Sequence, residues 1–305
     1  MRLLSRAATG LAAVLALAAT LATPALAQGS AYPNKPVRVV VTFPPGGSAD
    51  AVVRMLVPRL NEKLGQQVVV DNRPGAGGNI GLTVVAKAQP GDGYTLGVGA
   101  AGALAANSSL YAQMPFDPVK DLKPVSMLAA IPFVIIGHPS VAARTQRELL
   151  ALAKAQPGKL NYGSPSIGSS PHLAAEMLTS RTGTSAIHVP YRGAAPALTD
   201  LMGGQIDFLF DPGISLQHVK AGRLKMLAVA SNKRSALFPD VPTLGEVGYK
   251  GVEADTWFGI YAPAGVPAEV IARGFSRLTP WDISGRVGLD KLLLPDVNES
   301  LEGQR

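Results

Sequence analysis

The segment Val37-Arg38-Val39-Val40-Val41 is β-branched at every position but one. A strand written this way is apolar on both faces and needs cover on both, which a parallel sheet with helices packed on each side supplies. The next twenty-odd residues fit such a unit. The loop Phe43-Pro44-Pro45-Gly46-Gly47-Ser48-Ala49-Asp50 leads into Ala49, Val52, Val53, Leu56, Leu60 and Leu64 at helical spacing, with Arg54, Arg59, Glu62 and Lys63 on the opposite face and Gly65 as a C-terminal stop.

The alternation continues. Residues 67–71 read as a strand, 79–88 as a helix, and 94–99 as a strand after Gly91-Asp92-Gly93. A second series starts after the long apolar run 125–137: helix 146–155, strand 160–164, helix 171–181, strand 186–189, helix 196–202, strand 206–210, helix 214–221 and strand 224–230. The prediction is two α/β domains of similar build. A turn-rich segment, 238–251, and an apolar strand, 257–262, then return the chain to the first domain, so that 125–137 and 253–262 form two crossings that act as a hinge. On this division the first domain comprises 28–130 and 253–305, and the second 131–252.

Residues 1–27 read as a secretory leader: Arg2 and Arg6 precede an apolar stretch, 11–21, and Ala25-Leu26-Ala27 fits the small-x-small cleavage rule. Pro24 breaks the stretch where a membrane anchor would have to continue. The expected location is therefore the periplasm. With no cysteine, the 278 residues after the leader must rely on ordinary apolar cores, which 47% hydrophobic residues can supply. The net charge of +7 falls to +5 without the leader's arginines, and the basic residues are dispersed rather than interleaved with aromatics, which argues against a nucleic-acid partner.

A second loop, Gly163-Ser164-Pro165-Ser166-Ile167-Gly168-Ser169-Ser170-Pro171-His172, resembles the first in composition and place. Each opens a helix whose first-turn amides have no intrahelical acceptor, so each aims donors at whatever lies beyond the strand ends. Ser48 and Ser170 are expected to cap their helices, with Asp50 in one first turn and Pro171 at the first position of the other. Capping alone does not require Gly46-Gly47 beside Ser48, nor four serines and two glycines between 163 and 170. Small residues let a ligand touch the backbone, and a carboxylate between two helix N-termini gains roughly 0.3–2 kcal/mol from each. The competing reading is a pair of tight turns.

Several enzyme motifs are near misses. Gly163-x-x-x-x-Gly168 has phosphate-loop spacing, but Ser169 stands where a lysine is needed. Gly97-x-Gly99-x-x-Gly102 matches a dinucleotide fingerprint, yet only 103–106 reads as helix beyond it. A nucleophile elbow around Ser166 would need glycine where Ser164 stands, and His138, His172, His188 and His218 lack metal-ligand spacing. A secreted hydrolase remains the enzyme alternative, with Ser166 or Ser169 as nucleophile and His172 as base. His172, in a helix first turn, is otherwise a neutral imidazole donating to a ligand, or a surface residue. Asp211 closes a strand and either accepts a ligand hydroxyl or amine or caps the turn at Pro212-Gly213; Arg73 and Arg192 either face the cleft or brace loops, and bracing is the preferred reading.

Taken together, the segments resemble the substrate-binding proteins of tripartite tricarboxylate transporters, the Bug family of extracytoplasmic receptors. The resemblance runs from Tyr32 to about Arg273. Besides the two loops it rests on Tyr32-Pro33-Asn34-Lys35-Pro36-Val37-Arg38, Asn72-Arg73-Pro74-Gly75-Ala76-Gly77-Gly78, Asp92-Gly93-Tyr94-Thr95-Leu96, Val189-Pro190-Tyr191-Arg192-Gly193, Gly204-Gln205-Ile206-Asp207 and Ala262-Pro263-Ala264-Gly265-Val266-Pro267, in that order. It implies a type II periplasmic-binding-protein fold, α/β, that closes on one carboxylate of a small organic acid. Implied ligand contacts are Pro45, Gly46, Gly47 and Asp50, with Ala100-Ala101 nearby and a bridging water common there, and on the other side Ser164, Ser166, Ser169 and Ser170.

The implied partners are membrane permease subunits, the implied state a monomer, and no cofactor, metal or catalysis is expected; an orphan sensor feeding a signalling partner is the non-enzyme alternative. The pattern departs from the family at the end. Where amphipathic helices are expected, Gly274-Phe275-Ser276-Arg277-Leu278-Thr279-Pro280-Trp281 and the later Gly285, Gly288 and Pro295 lose helical periodicity, the signature of a frameshifted or divergent end that would leave apolar surface of the first domain uncovered.

Overall fold

The computed structural model describes residues 32–89, 91–235, 238–252 and 254–274, so the expected leader and the atypical segment beyond Gly274 lie outside the described residues. In chain order the elements are β1 (Val37–Val41), α1 (Ser48–Leu64), β2 (Val68–Asn72), α2 (Asn79–Ala86), β3 (Thr95–Ala100), a π-helical turn (Gly102–Ala106) continuing into α3 (Asn107–Leu110), and β4 (Leu122–Gly137). Then come α4 (Gln146–Ala155), β5 (Asn161–Ser164), α5 (Ser170–Thr182), β6 (Ile187–Pro190), α6 (Ala194–Met202), β7 (Phe208–Asp211), α7 (Leu216–Lys220), β8 (Lys225–Ala230), β9 (Asp255–Pro263) and α8 (Ala268–Gly274).

The strands form two sheets joined by one long strand. The first runs β2-β1-β3-β9-β4, with β1 parallel to β2 and β3. The second runs β8-β4-β7-β5-β6, with β5 parallel to β6 and β7. β4 pairs with β9 as far as Pro132, then from Phe133 onward with β7 and β8. The return passage lies beside it: the Phe133 amide bonds the Ala254 carbonyl just before β9 begins. β9 runs antiparallel to both its neighbours, and β4 to β7 and β8, so the sheets are mixed rather than wholly parallel.

β1 is covered on both faces, which is why every residue of it but Arg38 is apolar. Val37, Val39 and Val41 pack with Val52, Val53, Leu56 and Leu60 of α1, while Val40 faces Leu82 and Val85 of α2. Each such buried side chain contributes about 1.5–3 kcal/mol. Two further clusters sandwich the second sheet, one around Phe133, Tyr162 and Phe210, the other around Ile136, Leu201 and Leu209. Gly97 and Gly99 let β3 lie flat against α2: a Cβ on Gly97 would fall 2.6 Å from Val85. The glycine spacing there is a packing device, and the helix after it extends to Leu110 instead of stopping at residue 106.

Candidate functional site

The loops after β1 and β5 sit at the carboxyl ends of parallel strands, where open α/β sheets place their crevices. They meet at one cavity of about 520 Å³, counting open space at its mouth. From the first sheet's side it is lined by Phe43, Gly47, Ser48, Ala49, Ala100 and Gly102. From the second come Pro165, Ser166, Ser169, Ser170, Pro171 and Pro212, and the crossing strands add Phe133, Thr256 and Phe258. No aspartate, glutamate, lysine, arginine or histidine among the described residues lines it.

The donors are main-chain ones. Ser48 and Ala49 open α1 and Ser170 opens α5, and as first-turn residues their amides lack an intrahelical acceptor. The structure corrects the expected caps: the N-caps are Gly47 and Ser169, and neither helix has a side-chain cap bond. Ser169 Oγ instead donates to the Ser166 carbonyl at 2.7 Å, and Ser164 Oγ donates to the same oxygen at 3.0 Å. The hydroxyls thus brace the loop and leave the helix end open. Ser166 Oγ is itself buried and has no partner among the described residues.

Asp50 is occupied elsewhere. Its carboxylate accepts from the Gly46 amide at 3.0 Å, from Arg54 Nε at 2.9 Å and from Asn72 Nδ2 at 2.9 Å. Burial pulls its pKa upward, but the bonds from Arg54, Gly46 and Asn72 outweigh that and hold it below the ordinary value. Asn72 also donates to the Phe43 carbonyl at 3.0 Å, so Asp50 and Asn72 together tie the first loop to α1 and β2. Pro45 and Gly46 on that loop are exposed, as is Ala101.

Behind the second loop is a histidine stack. His172 and His188 lie 4.1 Å apart between ring centroids, Tyr162 stacks on His188 at 4.9 Å, and Tyr162 donates to Glu176 at 2.5 Å. Burial pushes both imidazoles down, His188 to about 4, with the neighbouring His172 adding to it and Glu176 opposing. His188 Nε2 is 2.7 Å from Ser164 Oγ, and His172 Nδ1 accepts from the Gly168 amide at 3.3 Å. His172 makes no bond to Ser166 or Ser169 among the described residues, and the serine of this loop that does meet a histidine, Ser164, is 1% exposed.

Asp211, at the end of β7, is 0% exposed and turns back on its own loop. Oδ2 accepts from Gly213 N, Ser215 N and Ser215 Oγ, while Oδ1 is buried without a partner among the described residues. Of the expected contacts, then, Gly47, Ala100, Ser166, Ser169 and Ser170 line the cavity, and Pro45, Gly46, Asp50, Ala101, Ser164, His172 and Asp211 do not. Sequence reasoning missed Phe43 and Thr256, and with them Phe133 and Phe258. The signals were that Phe43 heads the first loop and that 133 and 256–258 fall on the two crossings. Arg73 braces, pairing with Asp71 at 3.0 Å; Arg192 is exposed, makes no ion pair among the described residues and lines an adjoining cavity.

The two sides touch. A Cβ built on Gly102 would fall 2.8 Å from the Gly168 carbonyl oxygen, and one on Gly193 would fall 2.6 Å from the Pro44 ring. Side chains at these places would hold the loops apart.

Residues 52–279 match the Tripartite tricarboxylate transporter family receptor. The chain belongs to that family. It is 41% identical over 243 residues to protein BugT of Bordetella pertussis, covering 79% of this chain and 74% of that one. Among solved structures, MatC of Rhodopseudomonas palustris with bound malate superposes with a TM-score of 0.80 at 30% identity, over 88% of this chain and 92% of that one. An R. palustris protein holding adipate gives 0.76 at 37% identity, over 79% and 81%. The receptor therefore has the type II periplasmic-binding-protein fold, and its family is one of solute receptors, not of enzymes.

Proposed function

We propose that this receptor binds a small organic carboxylate in the crevice between its two lobes, in the periplasm, and presents it as a closed monomer to the permease subunits of a tripartite transporter. One observation carries the reading: helix N-termini from two different lobes, α1 and α5, open on the same cavity, which no cationic side chain among the described residues enters. A carboxylate there takes hydrogen bonds from main-chain donors on both sides and from Ser166 Oγ, each charge-assisted. Because only the closed arrangement completes that set, ligand shifts the population toward closure, with 131–252 moving against 28–130 and 253–305. The neighbours that hold malate and adipate support an acid as ligand.

Thermal unfolding with a panel of mono-, di- and tricarboxylates and amino acids tests this. At a hundredfold excess over Kd the matched acid should add about 2.7 kcal/mol, or roughly 5–10 °C for a chain of this size, and its uncharged amide should add nothing. Stabilisation by the amide as large as by the acid, or by no acid at all, would contradict the reading.

A further inference from the structure

Resting on that reading, we infer that the ligand is a monocarboxylate with a flat, apolar body. Beyond the helix N-termini the cavity is made of rings and methyl groups. Phe43 comes from the loop after β1 and Phe258 from β9, and the two meet edge to face, with centroids 6.0 Å apart and planes at 76°; Phe133 of β4, which also borders the cavity, is 0% exposed and belongs to the core of the second sheet. Four of the five hydroxyls in the lining belong to the anion end: Ser48 on α1, Ser166 and Ser169 on the second loop, and Ser170 on α5. Thr256 on β9 is the fifth.

A second carboxylate would have to leave water with no counter-charge to meet it, since the described lining holds no cation and both helix ends are already engaged by the first. Aromatic faces and edges instead favour a flat ring, with a plain hydrocarbon chain as its non-aromatic comparison. Arg192 belongs to the adjoining cavity, which shares Phe43, Gly77, Pro165 and Ser166 with this one, and it is solvent-exposed. This chemistry differs from that of the neighbours crystallised with two-carboxylate acids.

Hexanoate and adipate differ only in the second carboxylate, so calorimetric titration of the receptor with both, with malate and with benzoate, decides the matter. Hexanoate and benzoate should bind at least about tenfold more tightly than adipate or malate, given the cost of stripping water from an unpaired ion. Phe43→Leu should weaken benzoate several-fold and hexanoate less; equal loss would overturn the flat-body part. Adipate or malate binding as tightly as hexanoate would overturn the inference while leaving the receptor reading intact, and loss of that adipate affinity in Arg192→Gln would place the second carboxylate on the guanidinium. Binding of none of the four, with stabilisation by no acid of the wider panel, would sink both.

Discussion

Replacing Gly102 should cost this receptor its ligand without costing it its fold. The three atoms nearest to a Cβ at this position are the Gly168 carbonyl oxygen at 2.8 Å, Ser169 Cα at 3.4 Å and the Gly168 carbonyl carbon at 3.5 Å, all backbone of the loop on the other lobe. Backbone cannot swing aside as a side-chain tip can, so the lobes must part. Gly102 has no left-handed φ, which means an L-residue introduces no local strain. Gly102→Ala should therefore melt within about 1 °C of the parent without ligand and bind at least tenfold more weakly, while Gly102→Val should lose about a hundredfold, some 2.7 kcal/mol of closure energy. Titration calorimetry reads the affinity, and small-angle scattering should show no compaction on adding ligand. Parental affinity in the valine variant would mean that the loops need not approach for binding.

Asp211→Asn should make the protein more stable above neutrality. The carboxylate is fully buried; burial pushes its pKa to about 6 even though Ser215 and Gly213 donate three hydrogen bonds to Oδ2. A folded pKa above the unfolded one means the native state binds the extra proton, so the stabilisation is complete below about pH 4, drains away as pH rises toward 6, and is gone above about 7. A shift of about two units is worth roughly 3 kcal/mol.

An asparagine keeps the accepting oxygen and places an uncharged amide where Oδ1 has no partner among the described residues, which itself costs about 1–2 kcal/mol. The net expectation is a gain of about 1–2 kcal/mol at pH 8, about 2–8 °C in Tm, and no gain at pH 4. The half-buried His172 and His188 titrate in the opposite sense, so the difference between parent and variant across pH isolates the aspartate. Unchanged stability with abolished binding would instead make Asp211 a ligand contact.

Much of this architecture is written locally. The run 37–41 is apolar on both faces because α1 and α2 cover both faces, and that requirement is visible in five residues. The glycine and serine loops are equally plain, since capping alone does not require so many small residues together. What the chain hides depends on partners distant in sequence. Phe133 and Phe258 enter one cavity from strands more than a hundred positions apart, and no periodicity marks that meeting. Asp50 in a first turn reads as a ligand contact or a dipole partner, whereas Arg54 and Asn72 claim it, the latter from another strand. Ser48 and Ser170 have the composition of caps, yet the chain enters each helix one residue earlier and spends its Ser169 hydroxyl on the loop.

Binding, site geometry and lobe closure all depend on an acid group being held by peptide amides of both lobes and by no cationic side chain. A crystal structure of the receptor with the most stabilising carboxylate tests this directly. Carboxylate oxygens are expected within about 3.2 Å of amides in the first turns of both α1 and α5, and of Ser166 Oγ. A carboxylate seated on Arg192, or bonded to the first turn of one helix alone, would refute it.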